Sequence, residues 1–462
     1  MKTKIPVDIE LLKKYDKAGP GYTSYPTAPH FHEGVNGEKL LAHIKNDNEN
    51  IADKDLSLYF HIPFCDTLCY FCGCNMMVTR NQDKIEQYLD YLEKEIQLLK
   101  KHIDNDRKVI QLHFGGGTPT HLSPDQLLRL GKIIHNHFDF KDDAEVGVEI
   151  DPRELTRDHM VALSEAGFNR CSMGIQDFDK KVQKTVNRIQ TEDITWDAVR
   201  WAKELNFTSI NLDLMYGLPF QNYDTYGKTI DTILSMNPDR LAVFNYAHLP
   251  GMIKHQNLIK EEWLPSGDQK LELLKLSIEK LNEAGYVYIG MDHFAKPEDE
   301  LTRAMQNGTL YRNFQGYSTH AGINLFGFGI TSIGMLTDIY AQNYKKLDEY
   351  YQALNKNQLP VMRGISLNRD DQLRREVITE LMCNFKLDKS KIEHKYKIQF
   401  DNYFLEALST LKSFEDDGLI YLGDTQLKVT DAGRLLIRNI AMNFDHYLMK
   451  KQDKRPQYSR TV

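Results

Sequence analysis

From Leu56 onward, short runs rich in β-branched and aromatic residues alternate with longer stretches whose apolar residues recur every third or fourth position. This alternation predicts a parallel sheet covered by helices. Leu56–Ile62 reads as the first strand. From Gln82 a helix of about twenty residues follows, with Ile85, Tyr88, Leu89, Leu92, Ile96 and Leu99 on one face. Further strands are predicted at 109–114, 145–150, 170–175, 209–215 and 241–246, and a last one at 286–291 after a long helix over 268–284. Some helix ends are explicit in the sequence. Ser123 is an N-cap, Pro124 occupies the first turn and Gln126 completes a capping box, while Gly167 closes the helix after strand three. The pattern gives six or seven βα units.

Most of these strands end in polar or glycine residues: Gly115-Gly116-Gly117-Thr118-Pro119, Asp151-Pro152-Arg153-Glu154, Gln176-Asp177 and Tyr216-Gly217-Leu218-Pro219. In (β/α) barrels the working site lies at that end, where the βα loops converge. The expected fold is α/β, a partial, TIM-like (β/α)6 barrel over residues 51–358. Residues 1–50, with Gly19-Pro20-Gly21-Tyr22-Thr23-Ser24-Tyr25-Pro26, read as a turn-rich N-terminal arm rather than a packed helix. Its tyrosines would either cover a site or anchor the arm. Past residue 359 the texture changes, and 359–462 reads as a mostly helical C-terminal domain with a small winged-helix-like β ribbon. Such ribbons often read DNA, but no basic recognition helix is present and a lid or packing role suits the chain better.

Composition narrows the class. The chain has 462 residues, 41% of them hydrophobic, enough for a large core. No run approaches the roughly 20 apolar residues of a membrane span, and the first residues lack the apolar block of a secretory signal. A formal net charge of −7 argues against bulk nucleic-acid binding. A soluble cytoplasmic protein is expected, and a monomer, since no apolar stripe is left over for a second copy.

The strongest chemical signal lies in residues 59–75, Tyr-Phe-His-Ile-Pro-Phe-Cys-Asp-Thr-Leu-Cys-Tyr-Phe-Cys-Gly-Cys-Asn, which hold four of the six cysteines. Zinc usually draws its cysteines as two separated pairs. Cys65-x3-Cys69-x2-Cys72 on a single loop suits an iron–sulfur cluster, whose ligands are thiolates at spacings of this kind. Three thiolates on a four-iron cube leave one iron open. A structural zinc or disulfide loop is the bland alternative, and disulfides fit poorly with so few cysteines and no signal peptide. Cys74 is an extra thiol that could face a substrate or an iron.

The cysteine spacing with its aromatic loop resembles the radical S-adenosylmethionine (SAM) superfamily, in which SAM chelates the open iron through its amino and carboxylate groups. The glycine-rich strand end at 115–119 then resembles the segment whose backbone accepts hydrogen bonds from the SAM ammonium, although a tight turn alone would also need glycine. Glu149, Asp213 and Arg188 are charges at strand ends, where an unpaired charge is costly. SAM would supply partners for them, and ordinary salt bridges would do so equally.

A more specific resemblance covers nearly the whole chain. Gly19-Pro20-Gly21-Tyr22-Thr23-Ser24-Tyr25-Pro26, the cysteine triad followed by Cys74-Asn75, Glu149-Ile150-Asp151-Pro152-Arg153-Glu154, Asn245-Tyr246-Ala247-His248-Leu249-Pro250, Gly290-Met291-Asp292-His293-Phe294-Ala295 and Asn313-Phe314-Gln315-Gly316-Tyr317 resemble the oxygen-independent coproporphyrinogen III oxidases. That resemblance implies a [4Fe-4S] cluster on Cys65, Cys69 and Cys72, and two SAM molecules. It implies SAM contacts at Tyr59, Phe71, Gly116, Gly117, Thr118, Glu149, Gln176, Arg188, Asp213, Ala247 and Ile333, and a Cys74 needed for activity without being a ligand.

The implied reaction is oxidative decarboxylation. Reductive cleavage of SAM gives a 5′-deoxyadenosyl radical, which takes a hydrogen from the β-carbon of a propionate. Loss of CO2 and one electron then leaves a vinyl group. Two such events turn coproporphyrinogen III into protoporphyrinogen IX in haem biosynthesis, with electrons from a separate donor protein. The four propionates of the substrate call for local cations, and Arg153, Arg188, Arg312 and Lys296 are the ones considered. One departure is Ser318, where the family more often has Thr and the hydroxyl is kept; residues 320–324 match less well. The alternatives are a haem-carrying relative, from which the Gly-Pro-Gly-Tyr arm and the Cys-x-Cys-Asn ending differ, and another radical SAM enzyme such as a methylase or tRNA-modifying relative.

Overall fold

The computed structural model describes residues 5–50, 55–449 and 458–461. Six strands run parallel in chain order: β1 (Leu56–Ile62), β2 (Val109–Gly116), β3 (Phe140–Ile150), β4 (Arg170–Gln176), β5 (Ser209–Tyr216) and β6 (Arg240–Asn245). This is the expected (β/α)6 arrangement. The sheet continues on both sides without closing, so the barrel is open.

Beyond β6 the expected seventh βα unit does not form. β7 (Val287–Gly290) turns straight back into β8 (His293–Ala295), and β8 pairs antiparallel with β6. Met291 and Asp292 at the hairpin tip take positive φ, 39° and 71°. At the other edge, β9 (Asn324–Phe328) lies parallel to β1 and carries an antiparallel extension, β10 (Ile333–Met335), β11 (Ile339–Asn343) and β12 (Val361–Ser366). These strands are three to six residues long and interrupted by Gly327 and Gly334, so the sequence offers no clean alternation to read there.

The helices form where the apolar periodicity places them. Helix Gln82–Lys100, capped by the Asn81 side chain, buries Ile85, Tyr88, Leu89, Leu92, Ile96 and Leu99. It also buries Glu95, which accepts from the Gly329 amide (2.7 Å), Tyr350 (2.6 Å) and Asn343 (2.6 Å) and so pins the extra strands to the barrel. Helix Pro124–His137 begins with the expected Ser123–Gln126 capping box.

The N-terminal arm departs from expectation by containing helices Ile9–Tyr15 and Gly37–Asn50. The second buries only Ile44 and Asp47, too thin an apolar stripe to stand out in the sequence. The arm's tyrosines anchor it: Tyr22 donates to Asp445 (2.9 Å), and Tyr25 accepts from the His446 amide (3.1 Å) while its carbonyl takes Tyr340 (3.1 Å). In the C-terminal part, helices Arg369–Asn384, Lys389–Tyr396 and Leu405–Asp416 surround a three-stranded ribbon of Lys386–Asp388, Gln426–Val429 and Ile420–Leu422. Among the described residues no helix is long and apolar enough to cross a membrane.

Candidate functional site

The cysteine loop leaves β1 at its C-terminal end and is tied down at both its entrance and its exit. Phe64–Cys65 pairs parallel with Met77–Val78, and the Thr79 amide donates to the Cys65 carbonyl at 3.1 Å. The backbone between is satisfied by neighbouring βα loops, as a buried loop requires. The Tyr70 amide donates to Val186 (2.9 Å), Asn187 to the Leu68 carbonyl (2.8 Å), Gln256 to Phe71 (3.0 Å) and His255 to Cys72 (2.6 Å).

All four thiols are free; Cys65 and Cys69 are buried, Cys72 is half-buried and Cys74 is exposed. Cys65 Sγ sits 3.4 Å from Thr118 Oγ1, and burial pushes its thiol up to about 12 against that hydrogen bond. Cys69 Sγ is 3.4 Å from Arg153 Nη2 and 3.7 Å from Arg188 Nη1. Cys72 Sγ accepts the Cys74 amide at 3.4 Å, and hydrogen bonds from Cys74 draw its thiol down to about 6.

Among the described residues no three Cys, His, Asp or Glu side chains gather tightly enough for a single metal ion. Three free thiols on one loop, with two guanidinium groups at the middle one, fit the thiolate donor set of an iron–sulfur cluster.

Both arginines share one carboxylate. Asp151 takes Arg153 at 2.6 Å and Arg188 at 2.9 Å, and although burial works to raise it, the two cations hold Asp151 down to about 2. Arg188 also donates to the Gly174 carbonyl (2.6 Å), and its Nε is buried without a partner.

The glycines after β2 are required by close approach. A Cβ at Gly117 would fall 2.8 Å from the carbonyl groups of Pro63 and Phe64, and one at Gly116, where φ is 120°, would meet the His61 ring at 2.7 Å. The segment is thus pressed against the root of the cysteine loop.

Glu149 accepts from the Gly116 amide (3.2 Å) and from His113 (3.4 Å); these outweigh burial and hold its pKa below the ordinary value. Its carboxylate opens onto a cavity of about 330 Å³ that is also lined by Tyr59, Cys74, Gly116, Gln315 and Ile333. A second cavity of about 260 Å³ holds Cys65, Thr118, Asp151 and Arg153.

Asp213 accepts from Ser172 (3.1 Å) and Asn211 (2.6 Å), but burial and the charge of Glu149 push it up to about 7. Gln176, at φ 71°, and Asn245 each keep a buried side-chain oxygen with no partner among the described residues. Ala247 joins the loop indirectly, since Gln256 donates to both its carbonyl (3.2 Å) and that of Phe71 (3.0 Å). These unspent polar atoms at strand ends fit a polar ligand such as SAM.

The structure therefore gathers Tyr59, Cys74, Gly116, Glu149 and Ile333 at one cavity and Cys65 with Thr118 at the next. Arg188 and Gln176 approach each other at Gly174. Gly117 backs the loop, and Phe71 and Ala247 meet through Gln256. Lys296 does not belong: it pairs with Asp239 at 3.1 Å, just before β6 begins, at the opposite end of the barrel.

Sequence reasoning gave no role to Asp151, the shared partner of both arginines, or to His113 and Gln256. A carboxylate two residues before an arginine, at a strand end, was a usable signal for the first. Nothing local marks Gln256.

The radical SAM superfamily profile matches residues 59–233, and that of the HemN C-terminal domain matches residues 367–436. Oxygen-independent coproporphyrinogen III oxidase of Escherichia coli is 48% identical over 455 residues, covering 98% of each chain. The enzyme of the same name from Pseudomonas aeruginosa is 46% identical over 457 residues, again 98% of each. The solved structure of coproporphyrinogen III oxidase (HemN) from Escherichia coli, titled a radical SAM enzyme, superposes with a TM-score of 0.91 at 47% identity, covering 96% of this chain and 100% of that one.

Proposed function

This chain belongs to the oxygen-independent coproporphyrinogen III oxidases, a radical SAM family, and from that membership we infer what its own residues contribute. The reaction is the oxidative decarboxylation of propionate side chains of coproporphyrinogen III to vinyl groups, giving protoporphyrinogen IX in haem biosynthesis. When bound, the reduced [4Fe-4S] cluster and SAM together supply a carbon radical able to take hydrogen from an unactivated position.

Cys65, Cys69 and Cys72 hold the cluster. Arg153 and Arg188 both reach the Cys69 sulfur, and Asp151 keeps both guanidinium groups aimed there. Glu149, held ionised by His113 and the Gly116 amide, suits the SAM ammonium. Arg188 offers its unspent Nε to a carboxylate, and Gln176 and Asp213 offer oxygens to amino or ribose hydroxyl groups. Tyr59, Phe71, Gly117, Thr118, Ala247 and Ile333 complete the SAM-binding walls. Cys74, which lines the cavity with Glu149, is placed to meet the reacting molecules and would not be a cluster ligand. A separate electron-donor protein would supply the electron that the cluster requires.

The observation that carries this reading is the Cys69 thiol between two guanidinium groups, on a loop that opens onto the Glu149–Cys74 cavity. Its test is anaerobic purification followed by assay of iron, sulfide and SAM cleavage in the wild type and in Cys65→Ala, Cys69→Ala and Cys72→Ala. A brown wild type and three iron-free variants are expected. Variants that kept their iron would overturn the ligand assignment.

A further inference from the structure

The cations that the sequence offers to the substrate's propionates stand in unlike surroundings. Arg153 and Arg188 share Asp151, and Lys296 pairs with Asp239 away from the site. Arg312 is different. Its Nε and Nη1 are buried and have no hydrogen-bond partner among the described residues. Its guanidinium lies over the Tyr317 ring, 4.8 Å from the centroid, which fixes the plane of the group. The Tyr317 hydroxyl is itself spent on the Met382 carbonyl at 3.3 Å. A guanidinium held in place with two unspent N–H groups is costly unless an anion completes it.

Its position is apt. The strand Tyr311–Asn313 runs directly into Phe314 and Gln315, which line the cavity of Cys74 and Glu149. Gln315 and Tyr317 also line the barrel interior beside His113. A second cation comes from the C-terminal part. Arg438 is hydrogen-bonded to the backbone carbonyl groups of Gly19, Pro20 and Arg460. Both guanidinium groups act on the same buried carboxylate, Asp292 at the β7–β8 tip. Two cations against one acid leave a local positive surplus in a chain of net charge −7.

We propose that Arg312, with Arg438 behind it, receives a propionate carboxylate of the tetrapyrrole that is not itself reacting, and so sets which side chain is presented to the cavity of Cys74 and Glu149. Arg312 is a positioning residue for substrate with no part in holding the cluster. The proposal rests on the function inferred above. Arg438 is itself fixed by carbonyl groups of the arm.

The test uses the anaerobic, cluster-loaded enzyme with Arg312→Gln and Arg312→Lys. Arg312→Gln is expected to raise the KM for coproporphyrinogen III about tenfold or more, the effect of losing a hydrogen bond to a charged group. Iron content and the KM for SAM should stay unchanged, and Arg312→Lys should recover part of the loss. A wild-type KM in iron-loaded Arg312→Gln would overturn the proposal.

A second measurement needs no variant. In the wild type, coproporphyrin III should slow hydrogen exchange over residues 311–318, and its tetramethyl ester should not. Equal protection by both, or by neither, would also overturn it. Failure of the wild type to form vinyl product would instead sink the functional reading itself, so the two failures are distinguishable.

Discussion

At the N-terminal ends of the barrel strands, charges are matched. Arg170 reaches Glu300 at 2.6 Å and Glu145 at 3.8 Å, His320 adds 3.0 Å to Glu145, and Arg240 holds Asp299 at 2.9 Å and Glu300 at 2.6 Å. At the C-terminal ends the same residue types are mismatched. Two arginines share Asp151, Arg312 has two bare N–H groups, and Gln176 and Asn245 keep unpaired oxygens. At the N-terminal ends Glu145 is held down to about 2 by His320 and Arg170 against its burial, while the C-terminal ends hold both extremes, Asp151 down to about 2 and Asp213 up to about 7. A network in which every arginine meets its own carboxylates is internal structure; an unbalanced one, close to three thiols, is built for partners that arrive later.

The sharpest way to break this comparison is at the thiols. Cys69→Ala is expected to reduce iron and SAM cleavage to background, by metal analysis and product chromatography, and to leave the Glu145 network intact. Cys74→Ala should keep the cluster's visible absorption and lose turnover; loss of the absorption would make Cys74 a ligand.

At the opposite end, Glu145→Ala leaves Arg170 and His320 with a missing counter-charge and is expected to cost about 3–5 kcal/mol in urea unfolding, with SAM affinity unchanged. Arg188→Lys should behave in the reverse sense. Arg153 still satisfies Asp151, so stability holds, but a lysine cannot reproduce the planar fork and SAM binding should weaken about tenfold by equilibrium dialysis.

A further effect concerns pH. Glu145 has a depressed folded pKa, so its contribution is present above the ordinary carboxylate range of about 4 and is lost as pH falls toward 2. Asp213 has a raised one, so its ionisation destabilises the fold progressively from about pH 4 to 7. Asp213→Asn should therefore match the wild type in acid and exceed it in stability above pH 7, read from urea midpoints of the iron-free protein. Equal midpoints throughout would show that Asp213 is not strained.

Much of this was legible in the sequence because the signals were local. The capping box at Ser123 and Gln126, the apolar face from Ile85 to Leu99 and the cysteine spacing are each contained within a few turns of chain. The strands β9 to β12 were not legible, since runs as short as Ile333–Met335 are stabilised by pairing and by the distant Glu95 rather than by their own pattern. For the same reason Gly37–Asn50, with its scant apolar stripe, was not anticipated as a helix. At the site, residue types were readable but partnerships were not. Nothing near Lys296 in the sequence reveals that Asp239 claims it, and nothing near Arg312 reveals that its Nε and Nη1 find no hydrogen-bond partner among the described residues.

The account's central claim is that three thiols and the cavity beside them carry a decarboxylation of tetrapyrrole propionates. Its most direct test is to incubate anaerobic enzyme with SAM, a strong reductant and coproporphyrinogen III, and to count CO2 against vinyl product. The expected result is protoporphyrinogen IX with two CO2 released per molecule. SAM cleavage with no CO2, from protein shown to carry its cluster, would contradict it.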